Sequence, residues 1–325
     1  MAKDVKKEVG LKTLNKVFSK DELMKQLSKH LAKDKPEGYR INMKCIDDLI
    51  CFETGRVCIV SGVPQSGKSE IVDFFNFRLN QEYGWQSLYF SPENYPTGVY
   101  HIQKLLCKYR NERVQIRDMA DQKYENDIEY ITNNFYFLNY DVVNDIDTIL
   151  AVAQTMIDDT EKNIKILTLD PYNRLENQFS GFNETQYISA FLDKLTRFAQ
   201  QNDILVNLIA HPTKQKDGEK LTGYSICGSH NFFAKADYMY VVNIQSDEIV
   251  EFTTLKVKFK DLGCIGKCLL KYDWNSGNYY DAFSETNELL DTLKPVKDSE
   301  EKSNKEKVSE QVKICLKNRE VIGNE

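Results

Sequence analysis

The chain has no Cys-x-x-Cys pair, no apolar run of membrane-spanning length, no excess of basic residues and no internal repeat. Each absence removes a class of explanation. Eight cysteines are scattered along the sequence, and Cys264 and Cys268 have no His or Cys neighbour at ligand spacing. Reduced thiols in a reducing cytosol are therefore favoured over a zinc centre or a disulfide framework. Without a long apolar stretch no spanning helix is expected, and the start Met-Ala-Lys-Asp-Val-Lys-Lys lacks an apolar signal core. The expected location is the cytoplasm, with no membrane partner. Forty-three basic residues against 49 acidic ones give a net charge of -6, so the molecular field as a whole does not attract nucleic acid. Any such contact must come from local loops. With 325 residues the chain can bury a sizeable core, and one large α/β domain with appendages fits the pattern better than two domains.

What is present is sharper. Residues 62 to 69 read Gly62-Val63-Pro64-Gln65-Ser66-Gly67-Lys68-Ser69, with Glu70 following, and the short apolar run Val57-Cys58-Ile59-Val60 precedes them. A glycine-containing turn between a strand and a helix exposes successive backbone N–H groups, which cradle phosphate oxygens at the positive end of the helix. Lys68 is expected to reach the β- and γ-phosphates and Ser69 to hold Mg²⁺. A plain tight turn would not need the strand before it or the amphipathic stretch Glu70 to Leu79 after it. The expected ligand is ATP, or another NTP or dNTP, with Mg²⁺.

Around this loop the chain divides into three parts: an N-terminal region over 1–39, a core over 40–282 and a charged tail over 283–325. The first carries a helical stretch from Ser19 to Ala32, opened by a Ser19/Glu22 capping box and striped by Leu23, Leu27 and Leu31 with Met24 beside them. One helix cannot bury that stripe alone. It packs on its own core or docks on a neighbouring subunit. Between Gly55 and Asp281 strands and helices alternate. Strands are expected at Val57 to Ser61, Ser87 to Ser91, Ile164 to Leu169, Ile204 to Ala210, Tyr238 to Asn243 and Phe252 to Phe259. A helix is expected over Asp145 to Glu161, and a closing hairpin from Cys268 to Tyr280. That order implies an α/β fold, a mainly parallel sheet with helices on both faces. In the tail, Lys297 to Lys307 reads as a flexible linker and Val308 to Val321 as a short helix, either frayed or partner-binding.

Ligands in such sheets bind at the carboxyl ends of the strands. Glu93 follows one strand and is placed to orient and deprotonate an attacking water. Asp170 ends Ile166-Leu167-Thr168-Leu169 and is placed to position Mg²⁺. His211 ends the strand to Ala210 and is placed to sense the γ-phosphate. Lys256 and Lys258 alternate on one face of a late strand and offer positive charge to a phosphate. A solvated turn acid and a satisfied loop histidine are the plain alternatives, but the coincidence of these groups at strand ends beside a phosphate loop weighs against them.

Taken in order, GVPQSGKSE, SPENYP, LTLDPYNRLE, NETQYISAFLDKLTRFAQ, IAHPTK, GSHNFFAKADYMYVV and KVKFKDLGCIGK resemble the helicase domain of the DnaB-like and Twinkle-like replicative helicases, in particular the phage and mitochondrial primase-helicase branch. The resemblance implies a RecA-like P-loop NTPase core that assembles as a ring, usually a hexamer, and hydrolyses NTP between subunits to move along single-stranded DNA. By position it makes Glu93 the catalytic base, Asp170 the second Mg²⁺ acid and His211 the sensor. Two loops inherit a DNA-facing role, one with Asn173 and Arg174, the other from Lys214 to Ser229 with Lys214, Lys216, Lys220, Gly228 and Ser229. Gln65 stands where many relatives have Gly, and Lys258 where the family presents an arginine finger. No primase or zinc-binding module is expected ahead of the core, so a separate primase, polymerase or other replisome protein becomes an expected partner. A phage-encoded protein of this type would act in the host cytoplasm. The alternatives are a RecA-like or KaiC-like DNA-dependent ATPase, and a nucleotide-gated adaptor for helicase loading or DNA packaging.

Overall fold

The computed structural model describes residues 18–31, 38–94, 97–175, 183–212, 221–225 and 230–283. The chain falls into two compact units, Met1–Glu37 and Gly38 onward. In the first, α1 (Lys20–Leu31) forms as its capping box predicts. The Glu22 N–H donates to Ser19 Oγ at 3.2 Å, and the Ser19 N–H donates to Glu22 Oε2 at 2.7 Å. Leu23, Met24 and Leu27 are exposed on it.

The second unit begins with the short α2 (Lys44–Asp47) and then alternates. β1 (Arg56–Ser61) leads into α3 (Lys68–Tyr83) and β2 (Gln86–Phe90). α4 (Thr97–Arg110), α5 (Glu125–Asn134), β3 (Phe135–Phe137) and α6 (Ile146–Ile157) follow. Then come β4 (Ile164–Leu169), α7 (Glu184–Asn202), β5 (Leu205–Ile209), the short α8 (Asn231–Lys235) and β6 (Tyr238–Ile244). β7 (Ile249–Val257), β8 (Gly266–Tyr272) and β9 (Tyr279–Asp281) complete the described elements. The sheet order is β3-β2-β4-β5-β1-β6-β7-β8-β9. Pairing is parallel from β3 to β6 and antiparallel from β6 to β9.

Strict alternation along the central strands sorts side chains to two faces. Val57 and Ile59 of β1, Leu167 and Leu169 of β4, and Val206 and Leu208 of β5 join α6 and α7 in one core. Cys58, Val60, Ile166, Leu205 and Ile209 face α3 in the other. A third cluster, including Phe77, Tyr89, Leu105, Ile131 and Phe135, fills the space under α4 and α5.

Two expectations need correction, and one strand was not expected. The stretch after the phosphate loop is not amphipathic: every residue from Ile71 to Asn80 is buried. α3 is covered by the sheet on one side and by α4 and the β8–β9 hairpin on others, so several of its polar residues are satisfied internally. Asn76 donates to Tyr89 Oη and Thr168 Oγ1 and accepts from Asn207, all at 2.9–3.0 Å. The late strand spans Ile249–Val257, not Phe252 to Phe259, because its pairing with β6 and β8 recruits residues that precede the apolar run. Lys258 therefore lies just beyond its end. β3, only three residues long, gave no periodicity to read. The expected tail elements at 297–307 and 308–321 lie outside the described residues.

Candidate nucleotide-binding site

The phosphate loop sits at the carboxyl end of β1, and its backbone is shaped for close approach. Gly62 has φ +155°, and a Cβ there would lie 2.4 Å from Ser66 Oγ and 2.5 Å from the Val242 carbonyl oxygen. Only glycine fits. Gly67, at φ +85°, is the N-cap of α3, so Lys68, Ser69 and Glu70 open the helix with main-chain N–H groups that have no intrahelical partner. Gln65 adopts φ +63°, a left-handed conformation that costs a non-glycine residue about 1 kcal/mol. That conformation is one glycine would adopt without this cost. Ser66 Oγ is buried with no hydrogen-bond partner among the described residues, and the Lys68 ammonium donates to the Gly62 and Val63 carbonyls at 3.0 and 2.8 Å. Both belong to a loop built to surround something polar.

The groups expected at the strand ends converge here. Asp170 follows β4 and is nearly fully buried, and burial pushes its carboxyl up to about 6. A hydrogen bond with the Ser69 side chain opposes that rise, which places the expected Mg²⁺ pair side by side. Its main-chain N–H is anchored on the Phe90 carbonyl at 2.9 Å. Burial lowers the Lys68 ammonium below its ordinary range, while the charges of Asp170 and Glu93 act to raise it. His211, just past β5, is held low by burial and then by the Lys68 cation, with Glu93 opposing, so it is neutral at neutral pH. Its Nδ1 is buried without a partner among the described residues. Glu93, in a 3₁₀ turn after β2, thus acts electrostatically on Lys68, Asp170 and His211 at once. Its Oε1 also accepts from Arg174 Nε at 3.2 Å.

Other expected residues lie elsewhere. The Glu70 carboxylate turns from the loop to Lys108 and Lys104, which overcome its burial and hold it down to about 2. What it offers a phosphate is its main-chain N–H. Lys256 donates to the Phe233 and Ala234 carbonyls at the end of α8 (2.7 and 2.9 Å). Lys258 pairs with buried Asp237 at 2.8 Å, and Asp237 in turn accepts from the Val57 N–H. Lys258 is therefore at the amino end of β1, about four strand residues, roughly 13 Å, from the phosphate loop, so it does not serve the loop of its own chain. Lys256, in register with Met239 and through it with Ile59 at mid-strand, has its ammonium engaged by the α8 carbonyls. Asn173 and Arg174 form a 3₁₀ turn with Tyr172, whereas Lys214, Lys216, Lys220, Gly228 and Ser229 lie outside the described residues.

A buried ionic cluster escaped the sequence reading. Glu70 and Asp73 on α3 face His101, Lys104 and Lys108 on α4, and Lys108 also donates to the Gly277 carbonyl at 2.6 Å. The signal was there in retrospect: acids spaced by three and bases by three and four on consecutive helices. Through Asp73, which raises it, and Lys104, which lowers it, the cluster sets the charge around Asp170.

No family model matches the chain. It is 30% identical over 263 residues to the Twinkle homolog protein, chloroplastic/mitochondrial, of Arabidopsis thaliana, a match that covers 75% of this chain and 36% of that protein. The chain thus spans about a third of that relative's length. Among solved structures it resembles a separate ATPase domain (TM-score 0.67, 16% identity, 82% of this chain and 99% of that one). It also resembles a DnaB-like replicative helicase described with its interactions with primase (TM-score 0.64, 14% identity, 84% and 70%). A mainly parallel α/β core, a complete phosphate loop and this relationship together support a helicase domain of the DnaB-like and Twinkle-like type.

Proposed function

We propose that the protein is a ring-forming replicative DNA helicase that couples NTP hydrolysis to translocation on single-stranded DNA and to duplex unwinding. The observation that carries this reading is the convergence of Lys68, Ser69, Glu93, Asp170 and His211 on one phosphate loop at one end of the parallel strands. Lys68 and the N–H groups opening α3 bind the β- and γ-phosphates. Glu93 orients the attacking water and accepts its proton, and neutral His211 hydrogen-bonds the γ-phosphate. A hydroxyl and a buried carboxylate are hard oxygen donors suited to Mg²⁺, which is commonly held by one or two protein groups plus substrate phosphates. Ser69 and Asp170 would hold the ion, which supplies charge neutralisation at the phosphates. ATP is the expected nucleotide, with other NTPs or dNTPs competing for the same loop.

Because Lys258 stands at the opposite end of the strands and the Lys256 ammonium is engaged by the α8 carbonyls, a cation from a neighbouring subunit would complete the site, which supports a closed ring, hexameric by family. The turn with Asn173 and Arg174, and the segment with Lys214, Lys216, Lys220, Gly228 and Ser229, would face the strand. Basic groups are needed only there, since contributions from all subunits add around one strand. A primase or other replisome protein is the proposed partner.

The test is NTP hydrolysis with and without single-stranded DNA, followed by displacement of a forked duplex. Stimulation and strand displacement are expected. Hydrolysis with no displacement, together with open filaments in the electron microscope, would instead indicate a RecA-like ATPase.

A further inference from the structure

Phe90 and Leu169, the last residues of β2 and β4, are partners in the parallel register. The turns that follow are therefore neighbours: Pro92–Asn94 carries Glu93, and Tyr172–Arg174 carries Arg174. Arg174 Nε donates to Glu93 Oε1 at 3.2 Å, with the Arg174 side chain 61% and the Glu93 side chain 42% exposed. A guanidinium has five N–H donors in a rigid fork. This bond uses one of them, and no other bond from the Arg174 side chain to a described residue is seen, which leaves the terminal amino groups to take a second anion. Glu93 also acts electrostatically on Lys68, Asp170 and His211. Arg174 thus reaches from solvent to the one acid that faces the whole catalytic cluster.

We infer that Arg174 is a strand sensor: it restrains the Glu93 carboxylate until a DNA phosphate draws the guanidinium away, and so makes hydrolysis depend on an occupied strand path. The inference rests on the helicase reading and names a coupling within it. The Arg174 bond occupies one of the acceptor sites on Glu93 Oε1 and tethers the carboxylate to the turn, which restrains how it can be oriented toward a water. An exposed ion pair of this kind shifts an equilibrium by no more than about fivefold. A phosphodiester can bind the same fork through two parallel hydrogen bonds. The pair is therefore strong enough to bias Glu93 and weak enough to yield.

Steady-state ATP hydrolysis by the full chain, with and without saturating oligo(dT), tests this in wild type, Arg174→Ala and Arg174→Lys. Arg174→Ala should raise DNA-free hydrolysis about three- to fivefold toward the DNA-saturated wild-type rate, so that the stimulation ratio falls toward one. Arg174→Lys, which keeps the charge without the fork, should fall between. Binding of a fluorescent ATP analogue should be unchanged in both, showing an intact fold. The inference is overturned if Arg174→Ala is stimulated by the same factor as wild type. It is equally overturned if the DNA-free rate of that variant drops to that of Glu93→Gln, since Arg174 would then orient the base, not restrain it. Absence of stimulation in wild type would overturn the helicase reading itself, an outcome distinct from the other two.

Discussion

Asp170 sets function against stability. Its folded-state pKa of about 6 lies above the ordinary carboxylate value of 3.8. Between these values the folded chain keeps a proton that the unfolded chain releases, so stability falls as pH rises through that window. Above about pH 6 the full cost of a buried carboxylate is present, and below about pH 4 it vanishes. Asp170→Asn is therefore expected to stabilise the protein at pH 8 by on the order of 2–3 kcal/mol while abolishing hydrolysis. Denaturant unfolding at pH 8 and pH 4 reads the sign directly, and an equal effect at both would remove ionisation as the cause. Lys68 and Glu93 separate in a second pair of variants. Lys68→Ala removes the cation on the phosphates and should lose turnover together with nucleotide affinity. Glu93→Gln should bind nucleotide normally and lose turnover about a hundredfold or more, as expected for a group that acts only on the water. Near wild-type turnover in Glu93→Gln would take it out of the mechanism. At this scale the sequence was already legible, because Glu93 and Asp170 are among the first polar groups after strands that apolar runs identify and Lys68 lies in the phosphate-loop motif.

Among the elements, α3 carries the most structural weight, since it presents the phosphate loop at its start and is buried along most of its length. Its polar residue Asn76 forms a bonded chain with Thr168 and Asn207 between helix and sheet, which fixes where the helix begins relative to β4 and β5. The expectation of an amphipathic helix failed here because periodicity reports one covering layer, and α3 has several. α1 is the opposite case: its capping box and Leu stripe were readable, and its exposed apolar face asks for a partner. Deleting residues 1–35 should convert the proposed ring to monomers, checked by light scattering. An unchanged oligomer would assign the helix another role.

For the whole molecule, the decisive relation is between the two ends of the parallel strands. The phosphate loop opens at one end, and Lys258 sits at the other on Asp237. Hydrolysis in a ring would then need two chains. Mixing Lys258→Ala subunits, which retain the loop, with Lys68→Ala subunits, which retain the lysine, should restore partial hydrolysis that neither has alone. Full activity of Lys258→Ala by itself would reject this lysine and turn attention to Lys256. A lysine lacks the bidentate fork of arginine, so weaker stabilisation than a guanidinium gives is expected.

By itself the sequence determined the fold class, the nucleotide loop and the acids after β2 and β4, because strand–loop–helix chemistry is local and its spacing survives in one dimension. It also set the expectation, from net charge alone, that any DNA contact would come from local groups. Only the tertiary structure decided that the Glu70 carboxylate serves Lys108 and not a phosphate, that α3 is buried under several layers, that Lys258 sits at the far end from its own loop while the Lys256 ammonium is engaged by α8, and that Glu93 meets Arg174. Each of these depends on which strands are neighbours and which way they run. Residues as far apart in the chain as Glu93 and Arg174 are brought to hydrogen-bonding distance by sheet order, and sheet order is fixed by the packing of helices on both faces, not by any pattern along the chain.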